Sequence, residues 1–212
     1  MLEAEYAFAK NLEELCDFVE QYINFLVNRM HSCAELAEQF GSMAEVFCDQ
    51  NPKVQPLLCM DNPIKPFPRM HFEEALSILQ RKGEIISSGR LSKENELCLV
   101  EHCSGPFFIL RYPHKCKPFY MKRVGDYAEC FDLLAPFVGE LAGGSLREPD
   151  PEELRRRGCD ELLEWYLELR LNGHPPSAGF GIGIDRLMQA MFGVLNIKDT
   201  VAFPRWYRHC PC

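Results

Sequence analysis

Two stretches hold side chains whose types and spacing could do chemistry. In FDLLAPFVGELAGGSLRE, residues 131–148, Asp132 and Glu140 lie on apolar runs joined by a proline-containing turn. A hairpin there would bring two carboxylates together, and neighbouring acids repel unless a cation holds them. Hard oxygen ligands suit magnesium carrying the phosphates of a nucleotide. The other reading is a salt-bridged pair of strand ends. Gly143 and Gly144 would let a ligand or another backbone approach closely. Arg147 lies at odd parity from Glu140, so in an unbulged strand it faces the other side. A bulge at the glycines would return it to the same face.

The second stretch is SAGFGIGIDRLMQAMFGV, residues 177–194. Gly179, Gly181 and Gly183 recur at period two, although glycine weakens both helices and strands. Alternate glycines keep one strand face flat, leaving room for a planar group against the backbone. Arg186, at the strand-to-helix junction, can lay its guanidinium over that group. An adenine ring fits such a slot, with its triphosphate running toward the acidic pair. The glycine pattern alone is unspecific, and phosphate loops of the GxGxxG kind have another order and spacing.

The flanking sequence must position these groups. LEAEYAF alternates as a half-buried strand does, and NLEELCDFVEQYINFLVNRM carries a 3.6 period behind a capping signal at Asn11 and Glu14. Residues 41–66 lose the pattern and read as a surface insertion; residues 84–96 read as turns or loop. HFEEALSILQRKG is a short helix ended by Gly83. LCLV, PFFILRYP, PFYMKRV and FDLLAP read as neighbouring strands of an antiparallel or mixed sheet. Asp150 with Pro151, and Asp160, open two further helices ended by Gly158 and Gly173. VAFPRWYRHC reads as a final short strand. The order indicates an α+β domain with helices packed on one main sheet.

Composition sets the outer bounds. The chain has 212 residues and a formal charge of −8, so it is not a basic nucleic-acid clamp; contact with a polyanion needs local patches. No apolar run is long enough to span a membrane, and MLEAEYAFAK shows no targeting segment. Eleven cysteines, scattered and without a CxxC pair, read as reduced thiols in an intracellular protein. The His/Cys near-neighbours lack zinc spacing. Lys115, Lys117, Lys122 and Arg123 form a basic patch, read either as a local contact for a polyanion or as surface decoration. Trp165 and Tyr166 read as core.

Together the motifs resemble a known family. GFGIGIDRL resembles the third signature motif of class II aminoacyl-tRNA synthetases, and NIKDTVAFPR its sequel in the aspartate/asparagine/lysine subgroup. PFPRMHFEEALSIL, KPFYMK, VGELAGGSLRE and WYLELRLNG are most similar to asparaginyl-tRNA synthetases of the mitochondrial and bacterial type. The resemblance runs over nearly the whole chain. It implies one antiparallel sheet flanked by helices, with ATP and magnesium as cofactors. Glu140 and Asp132 would take the metal and phosphates, and Arg147 would contact the side chain of the bound amino acid. Gly183, Ile184, Asp185 and Arg186 would bind ATP, with Arg186 over the adenine. The implied catalytic residues are Arg186 and Glu140. The implied reaction is activation of asparagine as an adenylate and its transfer to tRNA(Asn), by positioning and charge neutralisation rather than a protein nucleophile.

The resemblance also implies an N-terminally truncated chain. Residues 1–212 would be the C-terminal portion of the catalytic domain, starting just after the second motif's arginine. The first motif, which makes the family's homodimer interface, and the anticodon-reading OB domain would be missing. Ser177 stands where asparaginyl enzymes usually carry histidine, and Asp185 where glutamate is common. The alternative is therefore a catalytically incomplete relative with a binding or regulatory role, and a third reading is an amide-forming relative acting on free aspartate. The mitochondrial matrix follows from the resemblance; the cytoplasm is the alternative because no targeting segment is visible.

Overall fold

A computed structural model of the protein describes residues 1–35, 55–60, 66–85, 90–159 and 161–205. It opens with strand β1 (Leu2–Ala7) and helix α1 (Leu12–His31). A short 3-10 turn at Leu57–Cys59 precedes β2 (Arg69–His71) and α2 (Phe72–Arg81). Next come α3 (Lys93–Cys103), β3 (Phe107–Leu110) and a small hairpin of β4 (Arg123–Val124) and β5 (Tyr127–Ala128). The central hairpin joins β6 (Cys130–Ala135) to β7 (Gly139–Leu146). Helices α4 (Pro151–Arg156) and α5 (Glu164–Leu171) lead to β8 (Ser177–Ile182) and α6 (Ile184–Phe192).

Six strands form one sheet in the order β1-β8-β7-β6-β3-β2, antiparallel except where β2 meets β3. Side chains alternate between faces along each strand, and the two faces have different fates. On one face Ala4, Phe180, Ala142, Leu133, Phe131 and Phe108 pack against α1 and α6. The helix α1 supplies Leu12, Leu15, Val19, Ile23 and Val27 at helical spacing, and Asn11 caps it by accepting from the Glu14 N–H at 2.8 Å.

The opposite face is covered only in part. Phe107, Ile109, Cys130 and Leu134 lie under α2 and α3, in a second core with Phe72, Leu79, Leu99 and Val100. Over β1, β8 and β7 the register instead aligns Glu3 with Gly181 and Gly143, and Glu5 with Gly179 and Ser145. That half of the sheet is a polar floor, bare of side chains at its glycines.

Several sequence expectations are corrected. LCLV is helical, within α3, and the expected loop 84–96 ends at Ser92. A reciprocal cap is the reason: Ser92 Oγ accepts the Asn95 N–H and Asn95 Oδ1 accepts the Ser92 N–H. PFYMKRV is not one strand: the Met121 N–H closes a turn onto the Pro118 carbonyl at 3.3 Å, leaving an isolated bridge at Met121 and the two-residue β4. The helix expected from Asp160 starts at Glu164, after a 3-10 turn at Glu161–Leu163; Asp160 itself lies outside the described residues. Residues 201–205 form no strand, and the rest of that expected strand, like most of the expected 41–66 insertion, lies outside the described residues.

Gly144 does not face a ligand. It points into the core, where an added Cβ would lie 2.5 Å from Cε1 of Phe131 and 2.9 Å from the Gly179 carbonyl. Gly144→Ala should therefore cost about 1–3 kcal/mol by overpacking, read as a fall in the urea midpoint. At Gly181 a Cβ would meet nothing closer than 3.7 Å, so Gly181→Ala should hold or raise stability by up to about 1 kcal/mol. Equal midpoints for the two variants would contradict this assignment of faces.

Candidate functional site

The geometry starts from a slip in register. Asp132 pairs with Gly143 and Leu133 with Ala142, but Leu134 pairs with Glu140. Leu141 is the extra residue, and its side chain is buried in the core. The bulge restores parity, so Glu140 shares a face with Gly143, Ser145 and Arg147. The expected bulge at the glycines is corrected: Gly143 and Gly144 keep regular register, and Leu141 does the work. A side chain at Gly143 would meet Glu140 Oε1 at 3.2 Å and Asp132 Oδ1 at 3.5 Å. The two carboxylates thus converge over bare backbone.

Cations already flank this pair. Lys117 Nζ donates to both oxygens of Asp132, at 2.9 and 2.8 Å, with both side chains about five-sixths buried. The ammonium also lies 3.8 Å from the ring centroid of Tyr112. Burial alone would push the Lys117 pKa down, but the charge and hydrogen bond of Asp132, together with the charges of Cys130 and Glu140, hold it above the ordinary value. On the other side, Arg186 Nη1 donates to the Glu140 carbonyl at 2.7 Å and stands 3.7 Å from its carboxylate. Burial, then the Asp132 charge, raises the Glu140 pKa against these cations.

A third carboxylate lies behind the hairpin. Glu96, on the first turns of α3, accepts the Glu140 N–H through Oε2 at 2.9 Å. Burial pushes Glu96 up to about 7; the hydrogen bond from Glu140 opposes that, while the charges of Glu140 and Asp132 add to it.

Arg147 lies further along β7 on the same floor. Its guanidinium pairs with Glu5 of β1, donates to Ser145 Oγ at 2.6 Å and lies 5.1 Å from the Tyr120 ring centroid. The pair crosses Gly179, where an added Cβ would fall 2.0 Å from Glu5 Oε1 and 2.3 Å from Arg147 Nη2. Beside it opens a cleft of about 410 Å³ lined by Glu5, Arg147, Trp165, Tyr166, Arg170 and Ser177. Trp165 is 58% exposed there and is not core. Gly183 ends β8, and the stem of Arg186 packs 3.6 Å from where its Cβ would be. Ile184, Asp185 and Arg186 form the exposed first turn of α6.

The structure therefore gathers Asp132, Glu140 and Arg186 at one end of the floor and places Arg147 at the other. Sequence reasoning missed Glu5, Glu96 and Lys117. For Glu5 a signal existed: Glu3 and Glu5 alternate in β1 as the glycines do in β8. Glu96 sat in a stretch read as loop, and Lys117 was indistinguishable from its exposed neighbours.

Comparison with known proteins gives the family and the fold. The family model of class II tRNA synthetases (D, K and N) matches residues 1–207. The asparaginyl-tRNA synthetase of Mus musculus is 33% identical over 99% of this chain and 46% of its own length. The mitochondrial asparagine–tRNA ligase of Saccharomyces cerevisiae is 32% identical over 97% of this chain and 47% of its own. The crystal structure of asparaginyl-tRNA synthetase from Pyrococcus horikoshii superposes with a TM-score of 0.81 at 33% identity, covering 98% of this chain and 49% of that one. Its complex with asparaginyl-adenylate gives 0.79 at 34% identity, covering 96% and 46%. The chain spans about half the length of the relatives it matches.

Two outcomes follow from the charges. Lys117→Met leaves Asp132 buried without its cation and should cost about 3 kcal/mol or more. Adding Asp132→Asn should recover part of it, a coupling of at least ~1 kcal/mol in a double-mutant cycle by urea unfolding; additive losses would show that the pair is not coupled. Glu96, ordinarily near 4.5, holds its proton to about 7 when folded. Between those values the folded state binds more protons than the unfolded, so this group makes stability fall as pH rises. Glu96→Gln should flatten the fall in unfolding free energy from pH 5 to pH 8; an unchanged slope would exclude Glu96 as its source.

Proposed function

The chain belongs to the class II tRNA synthetases of the aspartate, lysine and asparagine group, and on that premise we propose that it activates asparagine with ATP for transfer to tRNA(Asn). Residues 1–212 are read as catalytic domain. The observation that carries the choice of asparagine is the Arg147–Glu5 pair over Gly179. A guanidinium alone suits a carboxylate. Once neutralised by Glu5, the pair offers donors and an acceptor side by side, as a carboxamide requires, while an aspartate carboxylate would face the charge of Glu5.

The nucleotide occupies the other end of the floor in this reading. Gly181 and Gly143 leave its base and phosphates room against the backbone. Gly183, Ile184, Asp185 and Arg186 bound it, with Arg186 over the adenine and Glu140 below the phosphates. The space over Gly143 that a Cβ would fill, rimmed by oxygens of Glu140 and Asp132, fits magnesium, which is commonly held by one or two carboxylates plus phosphates. Among the described residues no three His, Cys, Asp or Glu side chains are grouped so as to hold a metal ion. When bound, it supplies neutralisation of phosphate charge.

The chain's own residues then position the reactants. Arg147 and Glu5 fix the amino-acid side chain so that its α-carboxylate reaches the α-phosphorus. Arg186 offsets negative charge on the phosphates as pyrophosphate leaves. This is catalysis by orientation and fixed charge. The yeast relative, named mitochondrial, supports the matrix as the site of action.

The deciding measurement is amino-acid-dependent ATP–pyrophosphate exchange with asparagine, aspartate and lysine side by side. Asparagine should support exchange alone. Glu5→Gln should narrow the preference over aspartate by on the order of tenfold. Exchange driven equally by aspartate or lysine, or by none of the three, would overturn the proposal.

A further inference from the structure

Glu140 needs more than its place in the sequence to face the floor. It sits next to the bulge at Leu141, where β7 slips by one residue against β6. If the slip relaxed, Glu140 would turn toward the core and Leu141 toward the site. One contact on the slip comes from outside the hairpin. The Glu140 N–H donates to Glu96 Oε2, 2.9 Å away, across from α3. Glu96 reaches that amide because Gly139, at φ +72°, has no side chain: a Cβ there would lie 2.3 Å from Glu96 Oε2.

The helix that carries Glu96 is itself fixed. Its first turn is tied by the reciprocal Ser92–Asn95 cap, and Asn95 is 2% exposed. Leu99 and Val100, on the same helix, are fully buried in the second core. A half-buried glutamate beside two other carboxylates is a costly choice if only packing is at stake. Its position at the one irregular peptide of β7 gives it another duty.

We propose that Glu96 is a positioning residue for the nucleotide site, holding the bulged start of β7 so that the Glu140 carboxylate faces the phosphates and their metal. The inference rests on the nucleotide site assigned above. Glu96 touches no reactant and acts through Glu140. A glutamine keeps the accepting oxygen without the charge and an alanine removes the whole group, so the two substitutions separate the held amide from the charge.

Two measurements test it. The first is titration calorimetry of magnesium-ATP at a temperature where each variant is folded. Glu96→Ala should weaken binding on the order of tenfold to a hundredfold, the scale of a small misplacement of a site group, and Glu96→Gln should recover most of the loss. The second is hydrogen exchange of the Glu140 amide without ligand: protection should be lost in Glu96→Ala and kept in Glu96→Gln. Wild-type affinity in the alanine variant, or equal damage in both, would overturn the proposal. If the wild type binds no nucleotide, the nucleotide-site reading fails and the positioning role with it. Unchanged exchange at Glu140 in Glu96→Ala rejects the clamp itself, whatever the nucleotide result.

Discussion

The structure depends on one extra residue in one strand. Side chains in a strand alternate with period two, so a single inserted residue exchanges the faces of everything on one side of it. In β7 that residue is Leu141. Without it, Glu140 and Arg147 would lie on opposite faces of the sheet and no common site could include both. With it, the strand delivers a carboxylate, a bare glycine, a serine and an arginine to the same floor, and a leucine to the core. The turn before it is held in a demanding conformation, with Phe137 at φ +69° and Gly139 at φ +72°. A non-glycine residue there costs of order 1–3 kcal/mol, which the burial of Val138 and Leu141 helps to offset.

Charge is organised around the same hairpin. Beyond burial, the charges of Glu140 and Asp132 raise the proton affinity of Glu96, and the charge of Asp132 raises that of Glu140. Each has a fixed partner: Lys117 on Asp132, Arg186 on Glu140, and the Glu140 amide on Glu96. A chain with a formal charge of −8 repels polyanions at long range. In the proposed function the phosphates must be received by local cations, and Arg186, half-exposed on the first turn of α6, is the one assigned to them. Lys117 serves inward instead, satisfying a buried acid.

Much of this was legible before any coordinates. The amphipathic α1, the central hairpin and the strand-to-helix junction at Gly183 followed from periodicity and turn chemistry, and Asp132, Glu140 and Arg186 were placed near one another on that basis. What was not legible had physical reasons. A bulge leaves no compositional mark when its extra residue is an ordinary leucine. The reciprocal cap of α3 uses asparagine where the usual signal has glutamate or glutamine, so LCLV read as a strand. Lys117 and Lys115 differ only in which side of a short turn they occupy, and that is decided by Tyr112 and Asp132 arriving from elsewhere in the chain.

The alternating glycines, two in β8 and one just after it, do not serve one need. At Gly183 an added Cβ would make only ordinary contact, 3.6 Å from the stem of Arg186, which folds back so that its Nη1 donates to the Glu140 carbonyl. At Gly181 the backbone is open to the floor on the site side. At Gly179 the space is already taken, by a salt bridge whose partners come from β1 and β7 and meet across the strand between them. A side chain at Gly179 would have to part Glu5 from Arg147, which would expose an unneutralised guanidinium to the cleft. The glycine, the glutamate and the arginine therefore form one device: none of the three can change without altering what charge the pocket presents, and in the proposed function that charge is what tells an amide from an acid.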